Sequence, residues 1–419
     1  YQVFKGFGSF AGRSSQMMKH ANRDGIINAL YGDGGLQLKV VRCTIPPDFN
    51  GTVTEEMEAE NWIQQEAKNK YGVSTFIASA WSPPYKWKTI VGQAAGKGMN
   101  SLAVKHYPDY ADYISNYIDY QEKVGLPLYA ISPQNEPEFP TTDWDGCIWW
   151  PKDTATFVRY YLKPMFRDRG IKTKIIIGET ANWNFANMYL ALASLYLPDE
   201  DFDIYGSHGY SLPMFPEFKY VIYGQQVMQW RGVASNKERW ITEASSTDSF
   251  DASMNKGIQL AVSISRLLHT GNINGYIFWS SLQYPSNEAL IIDNRQGGFF
   301  FPRVYYVYGQ FSRYIKPGHI RIGASKSLFA INSNIEVVAF KDPLLNTFSV
   351  VITNNSKGRN EICALSFSGV QLDENSITAF VTNDQYQWSP MKLSLQENGA
   401  IRIKIPPLSV VTIIGKIRV

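Results

Sequence analysis

A chain of 419 residues, 44% hydrophobic and 18% charged, has the make-up of a globular protein able to bury one large core and a smaller one. Its net charge of +3, with lysines and arginines scattered among acids, leaves no basic stripe for nucleic acid. No apolar stretch reaches the length of a membrane span. The three cysteines, Cys43, Cys147 and Cys363, fit neither a zinc pattern nor a disulfide framework, and one pair at most can bridge.

A start at Tyr1 rather than methionine fits a chain trimmed of a secretion signal, which points to a secreted protein. Asn50-Gly51-Thr52 and Asn354-Asn355-Ser356 match the glycosylation acceptor pattern. The aromatic content of 14% serves packing first, but it is also what a sugar-binding cleft requires.

Short β-branched runs alternate with segments of helical period through the first three-quarters of the chain. Strands are expected over 3–10, 38–45, 73–80, 126–131, 174–179, 202–210, 239–243 and 273–279. Between them, helices are expected over 54–68, 107–124, 152–169, 187–197, 218–229 and 251–269, with a last one over 301–314. A long Gly/Lys-rich loop spans 92–98. This alternation predicts an α/β fold, a (β/α)8 TIM barrel over residues 1–318. From 319 to 419 the pattern changes to short alternating strands at 337–340, 347–352, 401–405 and 409–414. Turns are marked at Asn354-Asn355 and at 397–399. This part reads as a small antiparallel β-sandwich, which the first few residues of the chain are free to join.

In such a barrel the C-terminal strand ends share one cleft. Here they carry Arg42, Trp81, Asn135, Glu136, Glu179, His208, Tyr210, Glu243 and Trp279. Taken singly, each of these residue types is commoner as packing or as an ion-pair partner. Converging on one rim, they are hard to explain as packing, because a buried polar cluster is costly unless its members bond one another. Glu136 ends an apolar run and precedes Pro137, which predicts an extended, restrained backbone. Glu243 ends a second such run. Two carboxyl groups at strand ends are what retaining glycoside hydrolysis needs. The expected roles are Glu136 as acid/base and Glu243 as nucleophile. Arg42 would pair with the ionised nucleophile, and Asn135 would address the sugar 2-hydroxyl. His208 and Tyr210 would bond the nucleophile or the sugar, and Trp279 would form the subsite floor. Trp144, Trp149 and Trp150 follow on the loop after Glu136, where they either pack or form a stacking platform on the leaving-group side. Tyr85, Trp87 and Trp183 divide in the same way.

Several stretches together resemble glycoside hydrolase family 30: Gly6-Phe7-Gly8, Trp81-Ser82-Pro83-Pro84, Tyr129 to Pro137, Trp240-Ile241-Thr242-Glu243 and Phe311 to Gly318. They stand in the family's order and cover nearly the whole barrel. The resemblance implies an Asn-Glu acid/base at Asn135-Glu136, a nucleophile at Glu243, and a side β-domain. It is closest to the xylanase branch. Ser280-Ser281-Leu282-Gln283 stands where glucuronoxylanases of the family place an arginine, and Arg295 lies well downstream. Gly8-Ser9-Phe10 also departs from the family's usual double glycine.

The expected function is therefore an endo-β-1,4-xylanase-like hydrolase, not strictly dependent on glucuronic acid side groups, that acts on a polysaccharide as a monomer. No cofactor and no metal is called for, since neither ligand-spaced His/Cys/Asp clusters nor a phosphate-cradling loop is present. The alternatives are a β-1,6-glucanase or exo-acting β-glycosidase on the same machinery, and a non-catalytic carbohydrate-binding barrel. A β-sandwich binding module on an inert barrel would need an exposed aromatic strip, for which only Tyr386 and Trp388 are available.

Overall fold

Eight short strands lie side by side, parallel, and close on themselves in chain order. They are β1 (Gly6–Phe10), β2 (Val40–Ile45), β3 (Thr75–Ala80), β4 (Ala130–Ser132), β5 (Lys174–Thr180), β6 (Ile204–His208), β7 (Glu238–Glu243) and β8 (Gly275–Phe278). Closure is by β1 against β8, with Gly6 opposite Gly275. These coordinates are a computed structural model that describes residues 1–90, 100–211, 222–327, 333–397 and 399–418. The Gly/Lys-rich loop at 92–98 lies outside the described residues, as does Asn398 of the expected turn.

Inside the barrel, Val40, Ile77, Ala130, Ile176, Ile204, Trp240 and Ile277 form a core of their own, one residue from each of β2 to β8. Trp240 fits because β8 offers Gly275 beside it. A Cβ there would stand 2.6 Å from the indole ring. The barrel is thus a packed core and not a pore.

Helices cover the outside: α1 (Ser14–Lys19), α2 (Arg23–Tyr31), α3 (Glu55–Tyr71), α4 (Tyr107–Lys123), α5 (Pro151–Phe157), α6 (Lys163–Arg169), α7 (Trp183–Ala193), α8 (Met254–Arg266) and α9 (Arg303–Ser312). Thr54 caps α3 by accepting from the Met57 N–H, which explains its start. The expected helix over 152–169 is α5 and α6 joined by a π turn at Val158–Leu162. Pro164, which has no N–H to donate, lies just beyond it. Helix α7 starts four residues earlier than expected, because Asn182 caps it by accepting from the Asn184 and Phe185 N–H groups.

Three features differ from the expected alternation. The pair α1 and α2 fills the first connection. A three-stranded sheet, β9 (Leu282–Gln283), β10 (Ile291–Asp293) and β11 (Phe299–Phe300), is inserted between β8 and α9. Of the helix expected over 218–229, residues 218–221 lie outside the described part, and 222–229 are not helical. Side chains of the flanking helices take up that backbone. Asn184 bonds Gln226 O and Met228 N, Ser263 bonds Gly224 O, and Arg266 bonds Gln225 O.

The C-terminal part forms two antiparallel sheets. The larger, in the order β12-β13-β14-β20-β16-β17, comprises β12 (Ile320–Ile322), β13 (Ile335–Asp342), β14 (Thr347–Asn354), β16 (Gln371–Thr382), β17 (Ser389–Met391) and β20 (Ser409–Arg418). The smaller comprises β15 (Glu361–Leu365), β18 (Ser394–Leu395) and β19 (Ile401–Ile405). Val350, Ile352, Val411 and Ile413 of one share a core with Ile401, Ile403 and Ile405 of the other. Val3 pairs with Ile320, so the chain's start runs alongside these sheets.

Trp388 is no exposed platform. Its ring lies against Tyr305 and Tyr306 of α9 and under Arg313, and its indole N–H donates to Tyr306 O. Asn354 is fully buried and spends its amide on Arg359, Ile405 and Pro406 carbonyls, so its acceptor motif is closed to modification in the folded chain. All three cysteines are free.

Glu60 of α3 is buried, and its carboxylate accepts from Thr44 N–H at the end of β2. Burial pushes this carboxyl up to about 8, with Glu56 adding to the rise and the Thr44 bond opposing it. A carboxyl pKa raised on folding gives stability that is complete below the ordinary value and lost as pH rises through the folded one. Stability relative to Glu60→Gln should therefore fall between pH 4.5 and 8, by at most about 1.4 kcal/mol per pH unit. Melting temperatures of both proteins at pH 5 and pH 8 check this, and parallel shifts would disprove it.

Candidate active site

Arg42, on β2, is the centre of the polar cluster at the strand ends. It is fully buried. Its Nη1 donates to Glu243 Oε2 at 2.7 Å and its Nη2 to Asn135 Oδ1 at 2.7 Å. Nη2 also reaches Glu179 Oε1 at 3.3 Å, and Nε donates to Ser79 Oγ at 3.2 Å. The guanidinium plane lies 4.6 Å from the Trp81 ring centroid. Burial opposes its charge, but Glu179 and Glu243 more than compensate and hold the proton more tightly than usual.

Because arginine can only donate, Asn135 must turn its carbonyl oxygen to Arg42, and its NH2 is then its outward group. Glu243, at the end of β7, has both oxygens engaged: Oε2 by Arg42 and Oε1 by the Tyr210 hydroxyl at 2.7 Å. Burial first, then the Glu243 charge, keeps the Tyr210 phenol protonated as a donor. Glu136 Oε1 lies 3.1 Å from His208 Nδ1. The sequence predicts the nucleophile or the sugar as the partner of His208. The structure instead puts it on Glu136, with Glu243 farther off at 3.9 Å. Burial works against a charged imidazole, but Glu243 and Glu136 outweigh it and raise His208 above its ordinary value.

The backbone provides the aim. Gly178 pairs with Gly206 and Thr180 with Ser207, so Glu179 is the extra residue of a bulge, with φ at 50°. A second irregularity, between β6 and β7, brings His208 opposite Glu243. Bulges of this kind redirect side chains beside active sites. Glu136 itself has φ at 44°, in the left-handed region and not the extended one expected before Pro137. Its N–H donates to Glu179 O and its carbonyl accepts from Phe139 N–H, which hold the turn in this strained form.

Trp279 follows β8 and stacks on Phe10 at 4.2 Å, with Trp81 beside it at 5.8 Å. Its N–H donates to Ala244 O, next to Glu243. Trp144 is half-exposed and stacks on Phe139, on the loop after Glu136. It is not brought against the carboxylates. Trp150 is exposed, and Tyr85 ties its hydroxyl to Asp145 on that loop. Trp149, Trp87 and Trp183 are packing residues, Trp183 against Trp230 at 3.9 Å.

Three acids deserve roles that the sequence did not give them. Glu179 is fully buried. Burial alone would raise its carboxyl, but Arg42 and then His208 hold it below the usual range. Glu138 accepts from Ala181 N–H at 2.7 Å, and its carboxyl is pushed up to about 8, first by burial and then by Glu136. Glu288 lies on the loop after β8, where its carboxyl accepts from Ser286 Oγ; burial and the nearness of Glu243 raise its proton affinity, against the Ser286 bond and the Trp279 side chain. Position in Asn-Glu-Pro-Glu was a usable signal for Glu138. For Glu288 the only signal was an acid in a strand-end loop.

Glu136, His208 and Glu243 each place one atom within 4.8 Å of the others. That is close enough to share a cation, but both Glu243 oxygens face the donors of Arg42 and Tyr210, and Glu136 Oε1 is paired with His208 Nδ1, an arrangement better suited to proton exchange. The same spacing brings carboxylate oxygens of Glu136 and Glu243 to within 4.8 Å, in line with the ~5–5.5 Å separation of retaining glycosidases.

Comparison with known proteins agrees with this chemistry. The model of O-Glycosyl hydrolase family 30 matches residues 48–190. The glucuronoxylanase XynC of Bacillus subtilis is 25% identical over 375 residues, spanning 85% of this chain and 76% of the relative. The endo-1,6-beta-D-glucanase of Neurospora crassa is 22% identical, over 86% and 80%. The catalytic domain of xylanase C from Talaromyces cellulolyticus superposes with a TM-score of 0.82 at 20% identity, covering 100% of this chain and 98% of that one. With its barrel and paired strand-end glutamates, the chain resembles the glycoside hydrolases of family 30 over nearly its whole length and matches their family model over residues 48–190.

Proposed function

We propose that this protein is a retaining endo-β-1,4-xylanase-like hydrolase that cleaves xylan by double displacement. The observation that carries the mechanism is the close approach of Glu136 and Glu243, within 4.8 Å at their nearest ligand atoms. An inverting pair would stand about 6.5–9.5 Å apart to admit a water.

In the first step Glu243, aimed by Arg42 and Tyr210, attacks the anomeric carbon of the sugar lying on Trp279. Glu136 gives its proton to the leaving oxygen. The Asn135 NH2 addresses the 2-hydroxyl, where a bond strengthens as the oxocarbenium character grows. In the second step Glu136 takes a proton from water, which displaces Glu243 with net retention. His208, hydrogen-bonded to Glu136 at 3.1 Å, orients this carboxyl through both steps. Trp144 on its Phe139 support offers a platform on the leaving-group side.

Likeness to the Bacillus glucuronoxylanase supports xylan as the substrate, and the absence of an arginine at 280–283 supports independence from uronic acid side groups. Likeness to the Neurospora enzyme keeps a β-1,6-glucan as the second reading. We place the protein outside the cell, where such a polymer is found, and take it to act as a monomer.

Glu243→Gln should lower turnover of the polymer by roughly 10⁴-fold or more while the melting temperature stays near that of wild type. Glu136→Ala should lose about 10²–10⁴-fold on xylan but far less on aryl glycosides whose leaving groups need no acid. Wild-type-like turnover by Glu243→Gln would refute the nucleophile assignment. Digestion of glucuronoxylan, arabinoxylan, β-1,4-glucan and β-1,6-glucan, with the first anomer read by NMR, should give xylo-oligosaccharides of retained configuration. Cleavage of a glucan alone would move the specificity, and inverted products would refute the mechanism.

A further inference from the structure

The nucleophile's side of the cleft carries a carboxyl group that the double displacement does not use. Glu288 lies on the loop that returns from β8, and that loop is tightly fixed. Ser280 N–H donates to Glu288 O, and Leu290 N–H returns a bond to Ser280 O at 3.0 Å. Ser286 Oγ donates to Glu288 Oε2 at 3.2 Å and accepts from Glu288 N–H at 3.1 Å. Next to it, buried Asn287 is tied to Asp248 and Ser249 of the loop after Glu243. Glu288 is half-buried, its backbone bonded to Ser280 next to Trp279, and the Trp279 side chain, whose only donor is the indole N–H, is near enough to its carboxyl to favour the charged form. Its carboxyl thus stands at the edge of the ring on which the attacked sugar lies. Burial first, and then the nearness of Glu243, raises its proton affinity, while the exposed Arg13 opposes them.

A carboxylate beside an aromatic platform accepts hydrogen bonds from sugar hydroxyls. It also repels another anion brought into the same confined, partly desolvated space. We propose that Glu288 is a specificity-determining residue that receives the hydroxyls of a neutral sugar at the edge of Trp279 and excludes chains bearing an acidic substituent there. This rests on the xylanase reading above and adds to it a substrate class, neutral or sparsely charged chains. The missing arginine at 280–283 removes an attraction for acid groups. Glu288 adds a repulsion.

The test uses the full chain as wild type, Glu288→Gln and Glu288→Ala at neutral pH. Three xylo-oligosaccharides of one length are compared: unbranched, bearing one glucuronic acid branch, and bearing the methyl ester of that branch. The ester has the bulk of the acid without its charge. Wild type should favour the ester over the acid in kcat/KM by roughly ten-fold, and both variants should bring that ratio near one. On the unbranched substrate Glu288→Ala should raise KM more than it lowers kcat, and Glu288→Gln should restore part of the loss. A merely structural role would move the acid and its ester together. An acid-to-ester ratio unmoved by either variant overturns the proposal. So does a wild type that prefers the acid, which would shift recognition to the cavity of about 450 Å³ lined by Lys19, His20, Tyr284 and Arg295. Turnover of none of the three by wild type overturns the xylanase reading together with this one, so the two failures are distinct.

Discussion

One buried guanidinium holds this site together. Arg42 stands among Glu243, Glu179 and Asn135 with no exposed surface, so its charge is met entirely by protein groups. Removing it would leave two buried carboxylates facing each other, a situation far more costly than the ion pairs themselves are stabilising. Its fork shape matters as much as its charge. One nitrogen sets an oxygen of Glu243, a second turns the Asn135 amide, and the flat face lies on Trp81. A lysine could neutralise the cluster but could not fix three partners at once. Glu179 completes the balance, so Glu243 does not have to satisfy the arginine alone.

The backbone around this cation is irregular where a barrel strand would otherwise be regular. Glu179 sits on a bulge, the pairing of β6 with β7 slips before Glu243, and Glu136 adopts a left-handed turn. The left-handed backbone of Glu136 and that of Glu179 each cost of order 1–3 kcal/mol. Each is held by bonds from its neighbours, such as Glu136 N–H to Glu179 O. The regular part of the barrel supplies the rigidity that these positions draw on, with Trp240 and six aliphatic residues packed inside below the cleft.

That contrast explains what the sequence revealed and what it hid. Strand positions were legible because β-branched runs bounded by Gly and Pro leave few alternatives, and the rim residues followed from the strand ends. Arg42, Asn135, Glu136, His208, Tyr210 and Glu243 could be singled out without knowing their partners. The partners depend on half a strand's shift, so His208 fell to Glu136 instead of Glu243, and nothing in Gly178-Glu179-Thr180 announced a bulge. Connections were least legible. Residues 222–229 look helical in period, yet their backbone bonds go to Asn184, Ser263 and Arg266, partners far away in the chain. Trp388 reads as a surface aromatic in the sequence, but α9 covers it with Tyr305 and Tyr306.

The same contrast separates chemistry from specificity. In the proposed reading, the groups that handle the reacting bond, Glu136 and Glu243, sit on or next to strands, where register fixes their positions. In the same reading, groups that can sort one glycan from another sit on the returning loops: Trp144 after β4, Glu288 after β8. The two loops differ in kind. The β4 side offers an exposed aromatic face, Trp144 on Phe139, on the loop that follows Glu136, which in the proposed reading holds varied leaving chains by stacking. The β8 side offers a fixed carboxyl beside the platform, which is sensitive to the charge of what lies there. With the proposed roles, a cleft built this way would grip the departing part of a chain loosely and inspect the retained part closely. Changes in the β8 loop should therefore alter which polymer is accepted with little effect on the double displacement itself, since none of its residues bonds Arg42, Glu136 or Glu243 directly among the described contacts.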